Sequence, residues 1–183
     1  MDWYVIDKDY IKFLLQFDSR VGYVDYGEKL KLHIGVILIV NNHSYYIPVS
    51  SAKPKHQHMS NSLDFHKLQD EITGYLYAVL NLNNMIPVPN SCLTQLKYNQ
   101  IEQFRTFNND KEKIDYIYLL QKEKAIIDKL QPLLQRKAEK LYAKCLQMPN
   151  SSLSSRCCNF QLLEEKSNAY KNNKNNNVII NIP

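Results

Sequence analysis

The stretch LHIGVILIVNNHSYYIPVSS, residues 32–51, decides how this chain folds. Its first half, HIGVILIV, is β-branched and too short for a buried helix to be preferred, so Leu32 to Val40 reads as the strongest strand in the sequence. Asn41-Asn42-His43-Ser44 is turn chemistry, and Tyr45 to Val49 is expected to pair back as the second arm of a hairpin. The strand then breaks abruptly into Ser50-Ser51-Ala52-Lys53-Pro54-Lys55-His56-Gln57-His58. Two hydroxyls, two lysines and two histidines therefore follow directly on a strand end.

Working outward, Trp3 to Ile6 reads as a strand. Asp7 or Asp9 is placed to cap a helix in which Tyr10, Phe13, Leu14 and Phe17 recur at helical spacing. Asp18 to Lys31 is polar and irregular, with Gly22 and Gly27. Beyond the hairpin, Lys53 to Asn61 is loop-like, with Pro54 preventing a regular ladder. Ser62 to Leu68 re-enters the sheet, Glu71 to Val79 carries mixed signals, and Asn84 to Pro89 is a short strand closed by prolines. Ser91 to Asn109 contains a short helix. Lys111 to Cys145 is helical, with Ile114, Ile117, Ile127, Leu130, Leu134 and Leu141 mostly on one stripe. Pro132 lacks a backbone N–H, which predicts two helices divided near Gln131. A Ser-rich linker spans Met148 to Arg156, and Asn159 to Tyr170 forms a terminal helix or an extended closing segment. Residues 1–170 thus read as one domain, followed by an Asn-rich, low-complexity tail over 171–183 that is expected to be flexible.

The bulk properties fit a soluble globular chain of 183 residues, with 44% hydrophobic and 22% charged content. A net charge of +5 permits an anionic partner without requiring one. Thirteen tyrosines could supply stacking faces, although a lean toward Tyr, Asn, Lys and Ile together also follows from AT-rich codons. Cys92, Cys145, Cys157 and Cys158 form no Cys-x-x-Cys, so reduced and mostly buried thiols are expected. The acidic, charge-broken N-terminus is no signal peptide, and the longest apolar run, Ile34 to Val40, is far short of a membrane span. The expected location is cytoplasmic.

Three readings of the Ser-Ser-x-Lys loop compete. Ser50-x-x-Lys53 matches the Ser-x-x-Lys of acyl-enzyme hydrolases, but Pro54 biases Lys53 away from the helical geometry that chemistry needs, and no companion motif follows. A solvated loop, with serines capping a turn and lysines facing water, is the reading that the residue types alone favour. A phosphodiester site is the third. RNA carries its own nucleophile, the 2′-hydroxyl, so a protein need only align it, move a proton and stabilise charge on the non-bridging oxygens. Ser50, Ser51, Lys53 and Lys31 suit that work. His56 and His58 are typical surface loop histidines, and His33, at the start of a strand, reads as packed.

Several stretches together resemble the toxins of type III toxin–antitoxin systems, the ToxN-like, AbiQ-like and CptN-like endoribonucleases. They are WYVIDKDYIKFLLQFDSRV, Lys31 with HIGVILIV, YYIPVSSAKPKH, NSLDF, NLNNMIPVP, RKAEKLY and CNFQLLEEK, in order across most of residues 1–170. The resemblance implies an α/β (α+β) fold, a strongly twisted, mainly antiparallel sheet surrounded by helices. It implies metal-independent cleavage of single-stranded RNA to 2′,3′-cyclic phosphate and 5′-hydroxyl ends, with no cofactor. It also implies a repeated pseudoknot RNA antitoxin that the toxin processes and that then holds it in a closed protein–RNA assembly, with cellular or phage RNA as the other substrate. Carried over, the essential hydroxyl falls on Ser51 beside Ser50, the site lysines on Lys31 and Lys53, and the site tyrosine on Tyr26. Ala52 stands where the family usually has Pro. Lys55, His56 and the cationic helix faces between Lys111 and Lys144 would meet flanking phosphates, and Tyr23, Tyr26 or Tyr98 would meet bases. A non-catalytic RNA-binding protein of the same fold is the alternative.

Overall fold

The hairpin forms as expected, and its turn is tighter than the sequence suggested. In a computed structural model describing residues 1–22 and 31–179, with side chains as far as Asn172, β2 (His33–Val40) and β3 (His43–Ser51) are joined by Asn41 and Asn42 alone. Both asparagines have positive φ, 49° and 61°, the backbone that a two-residue hairpin turn demands and that Asn tolerates. Around this pair the chain adds β1 (Asp2–Ile6), β4 (Phe65–Gln69), β5 (Leu76–Asn81), β6 (Ile86–Pro87) and β7 (Leu93–Gln95). Among the described residues they form a seven-stranded sheet of order β4-β5-β3-β2-β1-β7, with β6 paired to the start of β3. Every pairing in it is antiparallel.

The register of β2 on β3 changes partway along. Near the turn Val40 faces His43 and Leu38 faces Tyr45, but beyond an irregularity Ile34 faces Ile47 and His33 faces Pro48. Three residues of β2, Gly35, Val36 and Ile37, thus oppose the single Tyr46, a bulge of two extra residues. Gly35 makes it possible. A Cβ there would run into the ring of Tyr46, which lies against the glycine's bare Cα. Tyr46 is itself buried and meets Tyr4 edge-on at 5.2 Å between centroids.

Helices cover the sheet. α1 (Lys8–Leu15) is capped by Asp7, whose carboxylate accepts from the Asp9 amide, and it buries Tyr10, Ile11 and Leu14. α3 (Asp110–Gln147) is one continuous helix of 38 residues, which corrects the expected division near Gln131. Ile127 before Pro132 and Leu134, Ala138 and Leu141 after it are all buried in the same core, so both halves must stay in line to pack. Pro132 itself is exposed on the outer face, where water can satisfy the carbonyl left without a donor. α4 (Phe160–Ile179) carries helical backbone past Tyr170 and so takes in much of the Asn-rich stretch expected to be a tail.

Polar anchors lock α4 to the hairpin. The buried Glu164 carboxylate accepts from the hydroxyls of Tyr45 at 2.7 Å and Tyr142 at 2.8 Å, and from the Asn41 side chain at 3.2 Å. Asp18 accepts from the Asn159 amide at the start of α4, and Asp64 accepts from Arg156 through two nitrogens, at 2.9 and 3.1 Å. Cys92, Cys157 and Cys158 are buried. Among the described residues, no helix is long and apolar enough to cross a membrane.

Gly35→Ala is expected to destabilise the fold by about 2 kcal/mol, as overpacking does in a close-packed interior. Denaturant unfolding of the variant checks this, and Gly35→Ala combined with Tyr46→Leu should recover part of the loss.

Candidate active site

The bulge determines what meets at the base of the hairpin. Carried unchanged from the turn, the pairing would set Lys31 opposite Ala52. With the register shifted, the Val49 amide donates to the Leu32 carbonyl at 3.0 Å, and one step further Lys31 lies opposite Ser50. There the Lys31 ammonium donates to Ser50 Oγ at 2.8 Å. On its other side β3 pairs with β5, Ser50 facing Val79 and Ser51 facing Ala78. Asn81 lies on the same face of β5 as Val79, and its side-chain amide also donates to Ser50 Oγ, at 3.2 Å.

This is a partly desolvated site. Burial, with help from the nearby charge of Lys53, pushes the Lys31 ammonium down to about 8. Neighbouring His33 is fully enclosed. Its burial first, and then the charge of Lys31, push it down to about 3, so it stays neutral at physiological pH. It is packed, as expected of a strand-start histidine.

After Ser51 the chain turns through α2 (Pro54–Gln57), a single helical turn where a loop was expected. Lys53 precedes it in an extended conformation, as the residue before a proline should be. The Lys53 amide donates to His56 Nδ1 at 3.1 Å, and the His56 amide donates to the Lys53 carbonyl at 2.8 Å. The His56 ring is buried, 5.8 Å from that of Phe65. This corrects the expectation of a histidine reaching flanking phosphates. His56 is a strut that closes the turn holding Lys53.

Of the residues singled out from the sequence, Lys31, Ser50 and Lys53 are brought together. Ser51 is exposed at the end of β3 and, by strand alternation, faces away from Ser50. Lys55 is exposed on α2. Tyr23 and Tyr26 lie outside the described residues. Tyr98 corrects another expectation: it packs against the core beside Trp3, after β7 at the far edge of the sheet, well away from Ser50. The cationic stripe of α3 is also partly spent. Lys124 pairs with Asp128, Lys113 with Asp110 and Glu102, and Lys137 donates to the carbonyls of Ser62 and Phe65.

Sequence reasoning missed two residues. Asn81 reaches the site only through the β3–β5 pairing, and nothing local in Leu76–Asn81 signals it. Lys67 faces Val79 across β4 and β5, so it lies in the same row of the sheet as Ser50, and its ammonium reaches the Gln57 carbonyl at 3.5 Å. A clear strand signal over residues 65–69 and 76–81 would have been needed to find either. Among the described residues, no group of three or more His, Cys, Asp or Glu is placed to hold a metal ion.

Two lysines and a hydroxyl thus converge at a sheet end in an α+β fold, a set of donors whose chemistry suits an anion. The chain belongs to the ToxN toxin family of type III toxin–antitoxin systems, whose family model matches residues 2–168. It is 27% identical over 177 residues to endoribonuclease AbiQ of Lactococcus lactis subsp. lactis, covering 92% of this chain and 88% of that one. It is 26% identical over 174 residues to endoribonuclease ToxN of Bacillus thuringiensis subsp. kurstaki, covering 92% and 84%. A solved structure concerned with a processed non-coding RNA that regulates a bacterial antiviral system superposes with a TM-score of 0.77, at 27% identity over 92% of this chain and 98% of that one.

Because the folded state holds Lys31 below its ordinary value of 10.5, its charge destabilises the protein at neutral pH, and this cost fades as pH rises from about 8 toward that value. Lys31→Met is therefore expected to raise stability at pH 7 by about 2 kcal/mol. Chemical denaturation at pH 7 checks the sign, and the gain should shrink at pH 10.

Proposed function

We propose that this protein is an endoribonuclease toxin that cleaves single-stranded RNA by attack of the substrate's own 2′-hydroxyl, giving 2′,3′-cyclic phosphate and 5′-hydroxyl ends without a metal ion. The single observation that carries the reading is the Lys31–Ser50 hydrogen bond at 2.8 Å in a partly desolvated strand end, with Lys53 close enough to perturb Lys31. Cyclisation puts negative charge on the non-bridging phosphate oxygens. A preformed cluster of ammonium and hydroxyl donors lowers the energy of that charge more than water can, because the donors are already oriented and the local dielectric is low. Lys31 supplies the charge, Ser50 a short donor, and Lys53 a second, nearby cation. Ser51 leaves the opposite face of the same strand end and would contact the ribose or the leaving strand of an RNA that wraps that end. Lys55 and Lys67 would meet flanking phosphates.

Membership of the family, and the regulating non-coding RNA with which the similar structure is concerned, support an RNA antitoxin as the partner. In this reading the toxin cuts a repeated pseudoknot precursor, each product then covers the Lys31–Ser50 site, and toxin and RNA close into one assembly. Cellular or phage RNA is cut when the antitoxin is lost. The catalytic domain is taken as residues 1–170, and the site of action as the cytoplasm.

The test is cleavage of an end-labelled RNA by purified protein. Lys31→Met and Ser50→Ala should each lose about a hundredfold or more in rate. EDTA should have no effect, and a 2′-deoxy nucleotide at the cut position should abolish the reaction. The working form of Lys31 is the ammonium, so the rate should fall as pH rises through about 8. Lys31→Arg should move that fall out of the accessible range, since guanidinium stays charged. Full activity of Ser50→Ala and Lys31→Met would contradict the proposal, and RNA binding without any cleavage would favour a purely binding protein.

A further inference from the structure

Ser50 Oγ has one proton to donate and two lone pairs to offer. Lys31 Nζ, at 2.8 Å, is an ammonium and has nothing to accept with, so it takes one lone pair. Asn81 Nδ2, at 3.2 Å, takes the other. Both acceptor sites are then filled from within the protein, from β2 on one side and β5 on the other. The hydroxyl proton is the only bonding capacity left, and it has no direction to take except away from these two donors.

We infer that Asn81 is a positioning residue, which by donating to Ser50 Oγ across from Lys31 turns the Ser50 hydroxyl outward as an obligate hydrogen-bond donor. The inference rests on the proposed cleavage reaction and sharpens it. Ser50 then serves a phosphoryl oxygen and has no free lone pair with which to take the proton of the attacking 2′-hydroxyl. Base function has to come from elsewhere.

The placement of Asn81 is stiff enough for this work. It closes β5 opposite Phe65 on β4. The chain then enters the 3-10 turn Leu82–Asn84, where Leu82 is fully buried and the Asn83 amide donates to the Asp64 carbonyl at 3.2 Å. Asp64 is itself held by Arg156. Asn81 is thus fixed from both sides, with its side chain half-buried beside Ser50. A carboxylate of nearly the same shape is the informative replacement, because it can only accept. It would draw the Ser50 proton inward.

The experiment compares wild type, Asn81→Asp, Asn81→Ala and Lys31→Met for RNA cleavage, with circular dichroism spectra to confirm folding. Asn81→Asp is expected to lower kcat by about a hundredfold with KM changed less than about threefold, and Asn81→Ala to lower kcat less. The added carboxylate should also move the alkaline fall in rate to higher pH, which a change in folding alone would not do. Wild-type kcat and pH profile in both Asn81 variants, with Lys31→Met inactive, would overturn the role of Asn81 and leave the cleavage reaction standing. If the wild type does not cleave RNA, the proposed function fails instead. The role of Asn81 is then read from the Lys31 titration by NMR: a midpoint raised in Asn81→Asp supports the contact, and an unmoved midpoint rejects it.

Discussion

The site depends on two extra residues in one strand. A two-residue turn fixes how β2 and β3 start to pair, and an uninterrupted ladder from that turn would carry Lys31 past Ser50 to Ala52. The bulge at Gly35, Val36 and Ile37 absorbs two residues and brings lysine and serine level. A shift of two preserves which face each side chain occupies, so the hydrophobic pattern of the strand survives on both sides of it. A shift of one would have moved Ile34 to the other face of the sheet from its partner Ile47. The tolerance of Gly35 for the Tyr46 ring is therefore a condition of the Lys31–Ser50 contact, although neither residue belongs to that pair.

Around that bulge the protein places rigidity where the site needs it. The hairpin tip is tied to α4 through Glu164, and the β4–β5 end is tied to the segment before α4 through Asp64 and Arg156. The hairpin tip is thereby braced against α4, and the start of β4 against the segment leading into it. A site that lowers the energy of developing charge must be preorganised, and preorganisation costs stability locally.

Much of this was legible from the sequence because the relevant signals are local. HIGVILIV is β-branched, Asn41-Asn42 suits a tight turn, Asp7 caps α1, and the Ser-Ser-x-Lys loop stands at a strand end as its composition suggested. The errors arose where tertiary packing overrides local chemistry. Pro132 argues for a helix break, yet Ile127 and Leu134 share one core and hold the helix straight. His56 looks like a surface histidine until the Phe65 ring and the Lys53 amide enclose it. Asn81 could not be found at all, since its role exists only in the pairing of β3 with β5, two strands separated by more than twenty residues of chain. The resemblance to the toxin family pointed to Ser51 as the essential hydroxyl, whereas the hydrogen bonds converge on its neighbour. The two serines leave opposite faces of one strand end, so both can serve one substrate only if the RNA wraps that end.

The most direct measurement is the titration of the Lys31 ε-amine in the intact protein, followed by NMR with lysine labelled at Cε. A register that sets this lysine against Ser50 in a desolvated strand end predicts a midpoint near 8. A midpoint at the ordinary lysine value of about 10.4 would mean that the amine is solvated and apart from the serine, and the account would be wrong at its root.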